Sequence, residues 1–271
     1  MLSQDIFAFS AGHWIVFNEV YSLNEGNELA ATRSYINGAK NTWFFRIMPN
    51  LSPVFSLINM LGYLNQYHNN KRGVKGMQFH TTKSFVLASA SPRRKEIFAR
   101  FHIPFEIVTS DVEETSVQAS EASQYVTEVA LLKARDVREK SPGSVIIGAD
   151  TIVVKDHQLL HKPTSHDEAI SHLRSLLGTS HQVLTAVAII DENGIETTFV
   201  ETTKVIFKNV SDELLEAYVA TGDPFDKAGG YGIQTDGIFL IDRIEGDYLN
   251  VVGLPLASLY EQLIARKLIF L

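Results

Sequence analysis

From Phe85 onward the apolar and polar positions read as strands and helices in alternation. Phe85–Ala88 is an unbroken apolar run, as a buried strand requires. Pro92–Phe101 has helical spacing, with Ser91 as a natural cap and proline at the first helical position. A short strand is predicted over Phe105–Thr109. Ser120–Lys140 places Tyr125, Val129, Leu132 and Val137 along one helical face and stops before Pro142-Gly143. Val145–Val154 is a strongly apolar strand with one acid, Asp150, near its middle. Lys155–Leu160 makes a turn and return, and Thr164–Leu177 is a helix capped by Thr164 or Ser165 and stopped at Gly178. Val183–Ile190 and Thr197–Phe207 read as long antiparallel strands around Asn193-Gly194. Ser211 caps a helix to Thr221, although Leu214 stands where a capping box needs Glu. Ile238–Ile244 is predicted as a strand and Leu254–Leu268 as a final helix. The fold class is α/β with mixed strand direction and no internal repeat.

The first 76 residues differ. They are rich in Asn and aromatics, hold no sustained period, and end in the turn-forming run His68–Gly76, directly before Met77. Two domains follow: 1–76, an N-terminal extension of unknown role, and 77–271, the regular α/β domain. The extension is expected either not to belong to the native chain, with the natural start at Met77, or to be poorly ordered. Its apolar content is high for a disordered tail.

Charge sharpens the picture. The chain carries a net −7, with 45% hydrophobic and 20% charged residues. An acidic balance argues against broad binding to nucleic acid or an anionic membrane. The absence of cysteine removes disulfides, zinc-thiolate sites and thiol nucleophiles. No basic n-region opens the chain, and the apolar stretch from Trp43 to Leu64 is broken by Arg46, Pro49, Asn50, Pro53 and Asn59. A cytoplasmic location is expected.

Against that acidic background one basic cluster stands out, Ser89-Ala90-Ser91-Pro92-Arg93-Arg94-Lys95. It lies at a strand-to-helix turn, where unpaired N–H groups and the helix dipole favour an anion. Arginine adds bidentate donors that match phosphate. Asp150 is the second candidate. A carboxylate inside an apolar strand is costly unless it is paired, hydrogen-bonded or bound to metal. It is therefore a buried loop cap, or else a general base or metal ligand. Gly148 and Ala149 are expected to leave room for a ligand beside it. Asp111, Glu113 and Glu114 form an acidic loop, commonly just solvated, yet suited to magnesium or manganese next to a polyphosphate. Spacing alone makes Lys133 a surface lysine, and Lys162 before Pro163 carries little information. Asp226–Gln234 holds Gly229, Gly230 and Gly232, and its backbone amides are expected to approach a ligand. It matches neither the Walker nor the dinucleotide pattern. No Gly-x-Ser-x-Gly elbow anchors a serine hydrolase.

Taken in order, the Ser89/Ser91-Pro92-Arg93-Arg94 turn, Gly148-Ala149-Asp150-Thr151, Lys162-Pro163, Asp226–Gln234 and Val252-Gly253-Leu254-Pro255 resemble the Maf-like family of nucleoside triphosphate pyrophosphatases. The resemblance spans about residues 83–265. It implies a strongly curved mixed sheet flanked by helices, two lobes around a central cleft (a fold like that of inosine triphosphatases), and frequent homodimers. It implies hydrolysis between the α and β phosphates with a divalent metal, Mg2+ or Mn2+. Thr151 and the Gly232-Ile233-Gln234 ending resemble the branch acting on dTTP and UTP, without the features of the 7-methyl-GTP branch. By the same resemblance Asp150 is the proton acceptor. Ser89, Arg93, Arg94, Lys133 and Lys162 hold the triphosphate. Glu114, with Asp150, serves the metal or the water. Arg93, Thr151 and Gln234 bear on base preference. Gly230 departs from a common alanine, with little consequence expected. The rival reading is a non-catalytic nucleotide-binding regulator, of cell division for instance.

Overall fold

The computed structural model describes residues 77–114 and 117–271, and before them the backbone of four short strands. These are β1 (Ile6–Ser10), paired antiparallel with β2 (His13–Phe17), and β3 (Leu29–Ala31), paired antiparallel with β4 (Phe45–Ile47). The rest of the N-terminal expectations, the Trp43–Leu64 stretch included, fall largely outside the described residues. The chain divides into two compact units, Met1–Gly76 and Met77–Leu271.

The second unit is built on a seven-stranded mixed sheet. Its strands are β5 (Phe85–Ala88), β6 (Glu106–Ile107), β7 (Val145–Lys155), β8 (Gln158–Leu160), β9 (Ser180–Ile190), β10 (Glu196–Phe207) and β11 (Ile241–Glu245). The order is β11-β10-β9-β7-β5-β6, with β8 also on β7. β5 runs parallel to β6 and β7, and the remaining pairs are antiparallel. Helices α1 (Pro92–Phe98), α2 (Ala122–Lys140), α3 (His166–Leu176), α4 (Asp212–Val219), α5 (Tyr248–Val252) and α6 (Leu256–Ala265) flank it. Ser91 and Ser165 cap α1 and α3 as side-chain acceptors, and Ser211 caps α4. Among the described residues no helix is long and apolar enough to cross a membrane.

Period-two alternation splits the core in two. Val145, Ile147, Ala149 and Val153 of β7 enter one apolar cluster with side chains of α1, α3, α4 and α6. Ile146, Ile152 and Val154 enter the other, with α2. Gly148 belongs to the second face. A Cβ there would lie 2.6 Å from the Ala130 carbonyl oxygen and 2.8 Å from the Ala134 Cβ. The room at Gly148 therefore seats α2 rather than a ligand, contrary to the sequence expectation.

Two boundaries also differ. The predicted strand at Ile238 begins only at Ile241, because residues 236–240 form a 3-10 turn. The predicted last helix begins at Leu256, and a separate short helix, α5, precedes Gly253. Asp247 caps α5, accepting from the Leu249 N–H at 2.7 Å, and Gly253 ends it with a φ of +122°. That Asp-to-Gly frame was the available signal.

The lengths of the strands open the cleft. β7 has eleven residues. β5 pairs only with Val145–Gly148 and β8 only with Val153–Lys155. Between them Ala149–Ile152 have no strand partner on that side. The turn after β5 faces this gap, at the carboxyl end of parallel strands, where α/β sheets bind ligands.

Candidate active site

The gap opens into a cleft of about 450 Å³. Ser89, Arg93 and Arg94 line it from the turn, and Asp150 and Thr151 from β7. Glu114, Lys133, Lys162 and Gln234 reach it from four other segments. The fold thus gathers every residue to which the family resemblance gave a role, although Lys133 and Lys162 carried no local signal. Lys95, Asp111 and Glu113 are not among the residues lining the cleft, and Asp111 pairs with Lys140 at 2.8 Å.

Successive residues of β7 face opposite ways. Asp150 points to the α2 side, where it is 8% exposed. Its Oδ1 accepts from Lys133 Nζ at 2.8 Å. The same ammonium lies 2.7 Å from Glu114 Oε1, so one lysine spans both carboxylates. Burial pushes the Glu114 carboxyl up, but the Lys133 hydrogen bond and charge, with Lys162 and Arg94 beyond, hold it below its ordinary value. The buried acid is therefore paired, which resolves its desolvation cost.

Thr151 points to the other face, beside Arg94. The Arg94 Nε donates to the Gly253 carbonyl at 2.8 Å, Nη2 to the Thr151 hydroxyl at 2.9 Å, and Nη1 more weakly to the Ser89 hydroxyl at 3.4 Å. All three are neutral acceptors. Burial lowers the guanidinium's pKa, Asp150 pulls it back up and Arg93 adds to the fall; arginine stays charged in proteins throughout. Arg93, by contrast, is paired with Asp226 at 3.1 Å near the surface.

The opposite wall is the glycine-rich loop, and it is organised differently. Lys227 is 8% exposed. Its ammonium donates to Asp226 Oδ1 at 2.5 Å, Asp223 Oδ1 at 2.9 Å and the Asp223 carbonyl at 2.8 Å. Asp223 also accepts from Tyr218 at 2.7 Å and Thr235 at 2.6 Å. Burial pushes the Asp223 carboxyl up, but these donors outweigh it and hold it below its ordinary value. The loop amides expected to meet a ligand are largely spent inside the protein. Gly229 donates to His161 O, Gly230 to Lys227 O and Gly232 to the Tyr218 hydroxyl. Gly230 has a φ of +75°, open to glycine and strained for alanine, so the departure noted there matters more than expected. Beneath the loop, Tyr231 OH lies 2.7 Å from Nε2 of His181, itself 3% exposed. Burial holds His181 neutral, with its pKa down to about 4.

Among the described residues no three His, Cys, Asp or Glu side chains gather as a metal cage. Glu114 and Asp150, bridged by one ammonium, are instead a two-carboxylate set. Magnesium is commonly held by one or two carboxylates together with substrate phosphates. The donor set fits a divalent ion that is completed by a polyphosphate.

Arg94 on neutral acceptors, three further cations (Arg93, Lys133 and Lys162), two hydroxyls and a paired acid gather at the end of parallel strands, an arrangement suited to a polyanion. The chain belongs to the Maf-like protein family, whose model matches residues 84–266. It is 46% identical over 181 residues to a dTTP/UTP pyrophosphatase of Bacillus cereus, an alignment covering 67% of this chain and 94% of that protein. A dTTP/UTP pyrophosphatase of Geobacillus sp. is 46% identical over 175 residues, covering 65% and 94%. Among solved structures, a HAM1 protein from Coxiella burnetii overlies 46% of this chain and 73% of its own at 17% identity, with a TM-score of 0.35.

Proposed function

We propose that this protein is a nucleoside triphosphate pyrophosphatase acting on dTTP and UTP, releasing the monophosphate and pyrophosphate. The observation that carries the reading is Asp150, buried in the cleft at the mouth of the β7 gap, with the cations of three other segments around it. The relatives named dTTP/UTP pyrophosphatases support it.

In this reading Arg94, Arg93, Lys133 and Lys162 neutralise the triphosphate, and the Ser89 hydroxyl orients it. Phosphoryl transfer needs charge neutralisation and positioning more than covalent help. Asp150 accepts a proton from water as the water oxygen attacks the α-phosphorus. The bond from that phosphorus to the α,β-bridging oxygen breaks, and pyrophosphate departs. Glu114 and Asp150 are the residues that would hold Mg2+ or Mn2+, and such an ion supplies further neutralisation of the phosphates. Gln234, exposed at the rim of the cleft, can donate and accept at once, which suits the edge of a pyrimidine. dTTP and UTP differ at the ring by one methyl, worth only about 1–3 kcal/mol, so both are substrates. The protein works in the cytoplasm, as a homodimer, without nucleic acid or membrane as partner.

Pyrophosphate release from a panel of nucleotides, with Mg2+ or Mn2+, tests the reading. Asp150→Asn is expected to lower turnover ~1000-fold or more while the nucleotide still binds. Turnover unchanged in that variant would remove Asp150 as the base. Nucleotide binding without turnover under any divalent ion would favour the regulator instead.

A further inference from the structure

Behind Arg94 runs a chain of buried hydroxyls that the proposed reaction does not use. Thr185 lies opposite Thr151 in the β7–β9 register, and their hydroxyl oxygens are 2.9 Å apart. Thr185 also lies 3.0 Å from the carbonyl oxygen of Asn250, the middle residue of α5. Thr185, Thr203 and Asn250 are fully buried.

The direction of the chain is fixed by counting hydrogens. A carbonyl can only accept, so the single Thr185 hydrogen goes to Asn250 O. Thr185 can then only accept from Thr151. The single Thr151 hydrogen is thereby used, and Thr151 presents lone pairs to Arg94. Each link sets the next: Asn250 carbonyl, Thr185, Thr151, guanidinium.

The same turn holds Arg94 a second time. The Gly253 carbonyl accepts from its Nε, and the Gly253 N–H donates to Asn250 O. Asn250 is pinned in turn, its Nδ2 donating to Val183 O at 3.0 Å and to the Thr203 hydroxyl at 2.9 Å. The φ of +122° at Gly253 is what calls for glycine; a Cβ there would meet the Thr151 hydroxyl at 3.4 Å and Arg94 Nε at 3.6 Å, in ordinary contact.

We propose that Thr185 is a positioning residue for the phosphate clamp: through Thr151 its hydroxyl fixes the Arg94 guanidinium from behind and leaves the remaining N–H donors for the ligand. The proposal rests on the reading above only in taking Arg94 as a phosphate ligand. It also changes what Thr151 does, from a contact with the base to a link in this chain. Without Thr185's oxygen, the Thr151 hydrogen is free to turn toward the guanidinium, donor against donor, and the clamp loosens.

Inorganic tripolyphosphate, titrated calorimetrically, reads the clamp without turnover. Thr185→Val is expected to weaken its binding ~10-fold, the worth of one well-placed hydrogen bond, and to raise KM for dTTP alike with little change in kcat. Thr185→Ser should restore binding to within ~2-fold, because it returns the oxygen alone. In a Thr151→Val background, Thr185→Val should add less than ~2-fold, since the chain is already cut. Unchanged affinity in a folded Thr185→Val protein, or a full further loss in the Thr151→Val background, would overturn the proposal. Should Thr185→Val not fold, Thr185→Ala carries the same comparison. Wild-type protein that hydrolyses dTTP while Thr185→Val binds normally sinks the relay alone. Wild-type protein that binds tripolyphosphate yet releases no pyrophosphate from any nucleotide sinks the proposed function and leaves the relay standing. No tripolyphosphate binding by the wild type would overturn the relay.

Discussion

Two walls of one cleft each carry a cation, and they use it in opposite ways. Arg94 rests on a carbonyl and hydroxyls, so its charge is left for a ligand. Lys227 is enclosed by Asp223 and Asp226, so its charge is consumed by the loop that carries it. A basic residue lining such a cleft is thus not by itself a ligand-binding one; how fully its resting partners compensate its charge separates Arg94 from Lys227. Neutral partners leave the Arg94 charge uncompensated, and enclosing carboxylates make Lys227 a fastener; Lys133 and Arg93, which line the cleft and rest on carboxylates, lie between these two cases.

The comparison can be broken first at the fastener. Lys227→Met should cost about 1–3 kcal/mol of stability, because it strips the half-buried Asp223 of its cation while the Tyr218 and Thr235 donors remain. Chemical denaturation would measure it. A stable variant with normal loop packing but lost nucleotide affinity would mean that Lys227 serves the ligand after all.

The reverse signature is expected on the other wall. Arg94→Met should lower kcat/KM about 100- to 1000-fold, as removal of a charged transition-state donor does, with stability changed by less than about 1 kcal/mol. Steady-state kinetics beside a melting curve separates the two effects. A large drop in melting temperature would assign Arg94 to the fold rather than the ligand.

A change of pH sharpens the contrast further. His181 supports the loop wall through Tyr231. Its pKa falls from 6.5 to about 4 on folding. The unfolded chain therefore binds the proton more readily than the native one. Stability from this group is complete above pH 6.5 and declines as pH falls toward about 4, by about 3 kcal/mol in all. His181→Gln should flatten that slope in urea midpoints taken between pH 7 and 4.5. An equal slope in both proteins would clear His181 of the role.

Much of the scaffold was legible in the chain. Apolar runs located β5, β7, β9 and β10, and the Ser91-Pro92 pair located the start of α1. The cluster at Ser89–Arg94 and the acid at Asp150 declared themselves because each is expensive in its local setting. What the pattern could not show was reach. Nothing near Lys133 tells that its helix packs through Gly148 and delivers the ammonium to Asp150. The gap in the sheet arises from two strands being short, which no single segment records. Lys227 and Arg94 look alike as letters, and only the fold supplies their partners. Thr185 and Asn250 escaped notice because a lone threonine in an apolar strand and an asparagine in a five-residue helix carry no pattern of their own.

The parity of β7 has a consequence for how this chain can vary. Asp150 and Thr151 are adjacent in sequence yet face opposite sides of the sheet, one against Lys133 and one against Arg94. Deleting or duplicating a single residue just before them would exchange their sides and empty both posts in one event. Substitutions can be sampled along this strand, but a change of length there cannot be survived by degrees.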